Sequence, residues 1–164
     1  MARTLSLVET APGRHPPARP PLPGRPRLLV VDDEPLIGRF MAHAADECGC
    51  EAIVAISAAS FRSHYEAEPP DLVLLDLSLP GGDGIELLRY LAQRRSEAIV
   101  LIASGFDRRV VESARRLGEA LGLRMGDCLN KPVRVAELDA AIGSALRRYS
   151  EEGSADDRGI TCAS

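Results

Sequence analysis

The segment that most constrains the fold is a short apolar run, Leu72–Leu75, which ends abruptly at Asp76. Pro69 and Pro70 precede the run, and a turn that begins at Pro80 follows it. A short run bounded in this way is typical of a strand buried on both faces, as in the centre of a parallel sheet. Asp76 is then predicted at the carboxyl end of a central strand, where open α/β sheets place their ligand sites. Taken alone, the segment also fits an aspartate that caps a turn or helix.

The rest of the chain alternates strand and helix patterns. Apolar runs predict strands at 27–31, 51–56, 72–75, 98–103 and 124–130. Helical spacing of apolar residues predicts helices at 35–48, 58–66, about 85–91, 108–121 and about 134–149. In the fourth helix the shared, inward face is predicted to carry Val110, Ala114, Leu117 and Leu121. This alternation predicts an α/β fold, a doubly wound five-stranded parallel sheet with helices on both faces.

Composition and the chain ends predict the domain organisation. Residues 1–26 are rich in proline and arginine, which predicts a disordered leader before a domain at 27–149 and a disordered polar tail at 150–164. The net charge is −4 and no apolar run could span a bilayer, so we expect no direct nucleic-acid binding and no membrane partner. The cysteines form no CxxC pair, which favours reduced thiols in a cytoplasmic protein.

Polar residues follow the predicted strands at one edge of the sheet. Asp32 and Asp33 end the first strand and Asp76 ends the third, while Ser104 ends the fourth and Lys131, the only lysine, ends the fifth. In a parallel sheet these ends meet at the same edge. Three carboxylates repel one another unless a cation holds them, and Mg²⁺ prefers such oxygen ligands. With an ammonium and a hydroxyl nearby, the set predicts a receptor for a phosphoryl group on an aspartate oxygen.

These residues resemble the response-regulator receiver domain of two-component signalling, the CheY-like family with a flavodoxin-like (βα)5 fold. The resemblance covers about residues 27–149. It depends on the acidic pair Asp32-Asp33, the segments Asp76–Pro80 and Gly82–Gly84, Ser104 and Lys131-Pro132. It implies a phosphoprotein of a phosphorelay that takes phosphate from a histidine kinase or phosphotransfer protein and signals by contact with a downstream protein that the sequence does not identify.

The resemblance also implies a role for each site residue. Asp76 would be the phosphoacceptor, and Ser104 and Lys131 would bind phosphoryl oxygens. The Lys131–Pro132 peptide would be cis. The implied Mg²⁺ ligands are the carboxylates of Asp33 and Asp76, the backbone carbonyl of Ser78 and, through a water, Asp32. No enzymatic activity is implied beyond Mg²⁺-dependent self-phosphorylation and self-dephosphorylation.

The sequence departs from the family pattern near the fifth strand. Receivers usually carry Tyr or Phe as a rotating switch where Cys128 stands, and the segment from Ser104 to Lys131 is longer than usual. Phe106 is the aromatic residue nearest Ser104 in the chain.

Two alternative functions remain open. A haloacid-dehalogenase-like phosphohydrolase also uses an aspartyl phosphate and Mg²⁺, but it needs an aspartate where Ser78 stands. The other alternative is a phosphate-independent scaffold.

Overall fold

The computed structural model of the protein describes residues 24–156. Within them, the strands are β1 (Arg27–Val31), β2 (Glu51–Ala55), β3 (Leu72–Leu75), β4 (Ile99–Ser104) and β5 (Arg124–Asn130). The helices are α1 (Pro35–Glu47), α2 (Ala58–Ala67), α3 (Asp83–Gln93), α4 (Arg108–Ala120) and α5 (Val135–Asp156), with a 3₁₀ turn (Pro80–Gly82) before α3. All strand pairs are parallel, in the order β2-β1-β3-β4-β5. The predicted five-stranded α/β fold is confirmed.

Alternation along the central strands produces two apolar layers, one on each face of the sheet. In β1, Leu28 and Val30 pack with α1 and α5, whereas Leu29 and Val31 pack with α2, α3 and α4. All four residues of β3 are buried because helices cover both of its faces. Strand order reverses beside β1, and the carboxyl ends of β1 and β3 therefore border the crevice in which this architecture binds ligands.

The buried face of α4 differs from the predicted one. Of the predicted residues, Ala114 is buried and Leu117 is half-buried, but Val110 and Leu121 are exposed at 46% and 38%. The helix buries Val111 and Gly118 together with Ala114. A Cβ at Gly118 would lie only 2.3 Å from Sδ of Met125 in β5. Close approach at Gly118 therefore helps to select the packed face, and the prediction from apolar spacing was right at Ala114 but wrong at Val110 and Leu121.

The last helix extends beyond its predicted end near Tyr149. It continues to Asp156, so residues 150–156 are helical although they were predicted to belong to a disordered tail. Most of these residues are polar, and they add no apolar periodicity. Their helical state is consistent with local contacts, since Ser150 donates a hydrogen bond to the carbonyl of Leu146 and Glu152 forms an ion pair with Arg124. The rest of the predicted tail and residues 1–23 of the predicted leader lie outside the described residues.

Candidate functional site

Backbone hydrogen bonds carry the sheet pattern past the last residues of the strands and fix the positions of the site residues. The N–H of Asp76 donates to the carbonyl of Val31 at 3.1 Å, which ties the end of β3 to the end of β1. The N–H of Lys131 donates to the carbonyl of Ser104 at 2.9 Å, which ties the end of β5 to β4. The Lys131–Pro132 peptide is cis. The residues at these strand ends therefore converge on one edge of the sheet.

The three predicted carboxylates form one cluster at this edge. Oxygens of Asp32, Asp33 and Asp76 all lie within 4.8 Å of one another. The Asp32 and Asp76 side chains are buried, with exposures of 0% and 3%, whereas Asp33 is exposed. Carboxylates held this close repel one another, and burial strengthens the repulsion because little water screens it. The cluster therefore requires positive charge.

Lys131 supplies one positive charge between the two buried carboxylates. Its Nζ lies 2.6 Å from Oδ2 of Asp32 and 2.8 Å from Oδ2 of Asp76. Burial opposes the charged form of the ammonium, but the hydrogen bonds to Asp32 and Asp76 outweigh burial and raise the pKa of Lys131 above its ordinary value. Lys131 is therefore a cation at neutral pH, held where a phosphoryl group on Asp76 would need charge neutralisation.

The donor set suits a hard divalent cation. One ammonium cannot balance three carboxylates, and in the described part of the chain the Asp33 carboxylate has no hydrogen bond or ion pair. Mg²⁺ usually binds oxygen ligands and keeps several of its own waters. An exposed carboxylate beside buried ones leaves room for those waters. The residues present therefore fit the ion that the resemblance implies.

Backbone N–H groups orient the buried carboxylates. The N–H of Ser78 donates to Oδ1 of Asp76 at 2.7 Å, and the N–H of Glu34 donates to Oδ1 of Asp32 at 2.9 Å. The turn after Asp76 also packs closely on α3, because a Cβ at Gly84 would lie 2.8 Å from the Asp76 carbonyl oxygen. These contacts fix the direction in which the Asp76 carboxylate points.

Ser104 is completely buried, and its hydroxyl is held by two neighbours. The N–H of Phe106 donates to Oγ of Ser104 at 3.2 Å, and Oγ of Ser78 lies 3.1 Å from the same atom. Only the backbone carbonyl of Ser78 was predicted to take part in the site, and its hydroxyl was not. Hydroxyl residues at the carboxyl ends of neighbouring strands were the signal that could have revealed this contact.

Cys128 is not a member of the carboxylate cluster and lies on β5 beneath α4. It is half-buried and lines a cavity of about 320 Å³, whose other walls include Val111, Arg115 and Asn130. Burial raises the pKa of the Cys128 thiol, although the nearby Arg115 guanidinium acts in the opposite direction. The position at which receivers usually carry an aromatic switch therefore holds a small protonated thiol beside open space.

Comparison with known proteins identifies the architecture. The model of the response regulator receiver domain family matches residues 28–143. The KDP operon transcriptional regulatory protein KdpE of Escherichia coli is 35% identical over 75% of this chain and 52% of its own length. The DNA-binding response regulator MtrA of Mycolicibacterium smegmatis is 33% identical over 78% of this chain and 54% of its own length. The crystal structure of a response regulator from Colwellia psychrerythraea superposes with a TM-score of 0.66 and 27% identity, over 76% of this chain and 99% of that one.

These relatives correct the prediction that nucleic acid is not a direct partner. KdpE is a transcriptional regulatory protein and MtrA is a DNA-binding response regulator, so proteins that carry this domain do act on DNA. The chain spans about half the length of the curated relatives it matches. The exclusion was wrong because it depended on net charge, and the charge of a receiver segment says nothing about a DNA-binding segment elsewhere in a protein. In the described range no helix is long and apolar enough to cross a membrane.

Proposed function

Because the chain belongs to the response-regulator receiver family, we propose that Asp76 accepts a phosphoryl group from a phosphodonor of a two-component system, in a reaction that depends on Mg²⁺. The observation that carries the proposal is the position of the Lys131 ammonium, 2.8 Å from Oδ2 of Asp76 and 2.6 Å from Oδ2 of Asp32. Family membership also argues against the haloacid-dehalogenase-like alternative.

The proposed transfer is a displacement at phosphorus. An oxygen of the Asp76 carboxylate forms a bond to the phosphorus while the bond to the donor atom breaks, and the donor leaves with that electron pair. The backbone N–H of Ser78, 2.7 Å from Oδ1 of Asp76, orients the carboxylate for attack. Lys131 neutralises charge on the transferred group, and the hydroxyl of Ser104 is a hydrogen-bond donor for one phosphoryl oxygen.

The proposed metal site consists of Asp33 and Asp76, the backbone carbonyl of Ser78 and, through a water, Asp32. Bound Mg²⁺ would neutralise negative charge on the phosphoryl oxygens during transfer. Attack of water on the aspartyl phosphate returns Asp76 to its carboxylate and releases inorganic phosphate. No separate substrate is turned over in this scheme, in which the protein only phosphorylates and dephosphorylates itself.

The phosphorylated state is proposed to signal through protein–protein contact. The site lies among exposed residues at the carboxyl edge of the sheet, including Asp33 and Phe106, so a change at Asp76 is close to the surface. The DNA-binding activity in the name of MtrA belongs to that protein, of which this chain covers 54%.

Incubation with acetyl phosphate and Mg²⁺, followed by intact-protein mass measurement, tests the proposal. We expect one added phosphoryl group on the wild-type protein, removed by mild base and retained in acid. Asp76→Asn keeps the side-chain shape without the nucleophile and should remain unmodified. Asp83→Asn removes a nearby acid outside the carboxylate cluster and should be modified like the wild type.

A phosphate-independent scaffold is the remaining alternative. It requires that the wild-type protein gain no phosphoryl group under conditions in which a known receiver does. Full modification of Asp76→Asn would exclude Asp76 as the acceptor.

A further inference from the structure

The hydroxyls of Ser78 and Ser104 face each other across the ends of β3 and β4. Their Oγ atoms are 3.1 Å apart, and either hydroxyl can be the donor. Ser104 has no exposed surface, so water cannot freely replace a lost hydrogen-bond partner of its hydroxyl. Loss of that partner therefore costs free energy. Among the described residues, the other hydrogen bond of this hydroxyl comes from the N–H of Phe106. Ser78 is therefore the side chain that fixes the Ser104 oxygen in its present position.

We propose that the hydroxyl of Ser78 is a positioning group that holds Ser104 in the unphosphorylated arrangement and releases it when Asp76 carries a phosphoryl group. This inference rests on the proposed function. Ser78 suits the role because its N–H contacts Oδ1 of Asp76 at 2.7 Å while its hydroxyl contacts Ser104. One residue thus touches both the nucleophile and the hydroxyl that binds the transferred group.

Competition for the Ser104 hydroxyl sets the direction of the effect. A Ser104 oxygen that moves to a phosphoryl group on Asp76 leaves its place beside Ser78, whichever of the two hydroxyls donates in the resting state. A hydrogen bond to a charged phosphoryl oxygen is about twice as strong as one between neutral hydroxyls. The contact with Ser78 therefore opposes the active arrangement without preventing it.

The expected size of the effect follows from the loss of one neutral hydrogen bond in the resting state alone. Such a bond changes an equilibrium constant by roughly 2- to 10-fold. Ser78→Ala should therefore bind the phosphoryl mimic beryllofluoride about 2- to 10-fold more tightly than the wild-type protein. Ser78→Thr keeps the hydroxyl and should return the affinity towards the wild-type value.

Calorimetric titration with beryllofluoride at saturating Mg²⁺ tests the inference. The series contains the wild-type protein, Ser78→Ala, Ser78→Thr, Ser104→Ala and the double variant of Ser78 and Ser104. If Ser78 acts through Ser104, Ser78→Ala should have no effect in the Ser104→Ala background. Ser113→Ala is the matched control, because it removes a hydroxyl that binds the carbonyl of Arg109 at 2.8 Å on α4. It should bind like the wild type.

The possible outcomes separate the two claims. Equal affinities of the wild-type protein and Ser78→Ala overturn the positioning role and leave the proposed function standing. An effect of Ser78→Ala that persists without the Ser104 hydroxyl also overturns the role, because Ser78 would then act through its backbone contacts. A wild-type protein that binds no beryllofluoride overturns the proposed function, and the inference with it.

Discussion

The ammonium of Lys131 lies 2.6 Å from Oδ2 of Asp32, although the two residues are 99 positions apart in the sequence. Asp32 has no exposed surface, and 13% of the Lys131 side chain is exposed, so the pair is largely removed from water. A charge in such a place is stabilised mainly by its partner. The same ammonium also holds Asp76, which makes Lys131 both a structural counter-ion and a group of the proposed transfer site.

Lys131→Met should destabilise the protein strongly when Mg²⁺ is absent. Removal of one member of a buried ion pair costs roughly 3–5 kcal/mol, because the remaining charges lose their compensation. Urea unfolding in a chelating buffer measures the loss, and Mg²⁺ should restore part of it. Arg39→Met, which removes an exposed cation of α1, is the control and should change stability by no more than about 0.5 kcal/mol. Similar losses in both variants would contradict the role of Lys131 as counter-ion.

Asp33→Asn should have opposite effects on stability with and without Mg²⁺. In a chelating buffer the substitution relieves repulsion within the carboxylate cluster and should raise the melting temperature. With Mg²⁺ at about 100 times its dissociation constant, the wild-type protein should gain about 2.7 kcal/mol, and the variant should lose most of that gain. Differential scanning calorimetry measures both changes. Asp83→Asn is the control and should keep the full response to Mg²⁺, while an unchanged response in Asp33→Asn would place the ion elsewhere.

The free energy of unfolding should fall between pH 9 and pH 11, with part of the loss due to Cys50. Burial raises the pKa of this thiol from 9.0 to about 11. In that interval the unfolded chain releases the thiol proton first, so the folded state binds more protons and loses stability as the pH rises. Urea unfolding at several pH values should show a shallower decline in Cys50→Ala. An equally steep decline would assign the loss to other groups, such as Lys131, whose pKa is also raised.

The sequence predicted the strand ends better than it predicted the helix faces. Asp76 follows β3 and Ser104 ends β4, and strands buried on both faces, as these two are, leave a strong apolar signal that ends at a defined residue. In α4 the signal was right at Ala114 but wrong at Val110, because Gly118 allows close packing on the neighbouring side of the helix while Val110 remains exposed. Apolar spacing reports which residues are hydrophobic, but the packed face also depends on how closely two elements approach.

Contacts between side chains from different strands were also beyond the sequence analysis. The sequence indicated that Ser78 and Ser104 lie at the same edge of the sheet. It did not indicate that their hydroxyls lie 3.1 Å apart, because that distance depends on the turn after Asp76. The direct contacts of Lys131 with Asp32 and Asp76 were likewise unpredicted in their detail, although the convergence of these residues was expected.

Activation should change the loop after β4 more than the neighbourhood of Cys128. The N–H of Phe106 donates to Oγ of Ser104 at 3.2 Å, so movement of that hydroxyl directly disturbs the loop. Cys128 is small and lies beside a cavity of about 320 Å³. It therefore lacks the bulk of the aromatic residue that receivers usually carry as a switch at this position. The Phe106 side chain is 46% exposed and can change its environment without breaking the core.

Hydrogen exchange on the Mg²⁺-bound protein, with and without beryllofluoride, measures this difference. We expect altered exchange across residues 104–121 and little change at Cys128. Phe106→Ala should reduce the surface change without abolishing beryllofluoride binding, because it keeps the backbone N–H that contacts Ser104. Leu36→Ala is the matched control, since it truncates a side chain that is 78% exposed on α1, and it should keep the wild-type exchange pattern in residues 104–121. Changes confined to β5 around Cys128, with residues 104–121 unaffected, would show that this receiver transmits its state through the thiol position and not through Phe106.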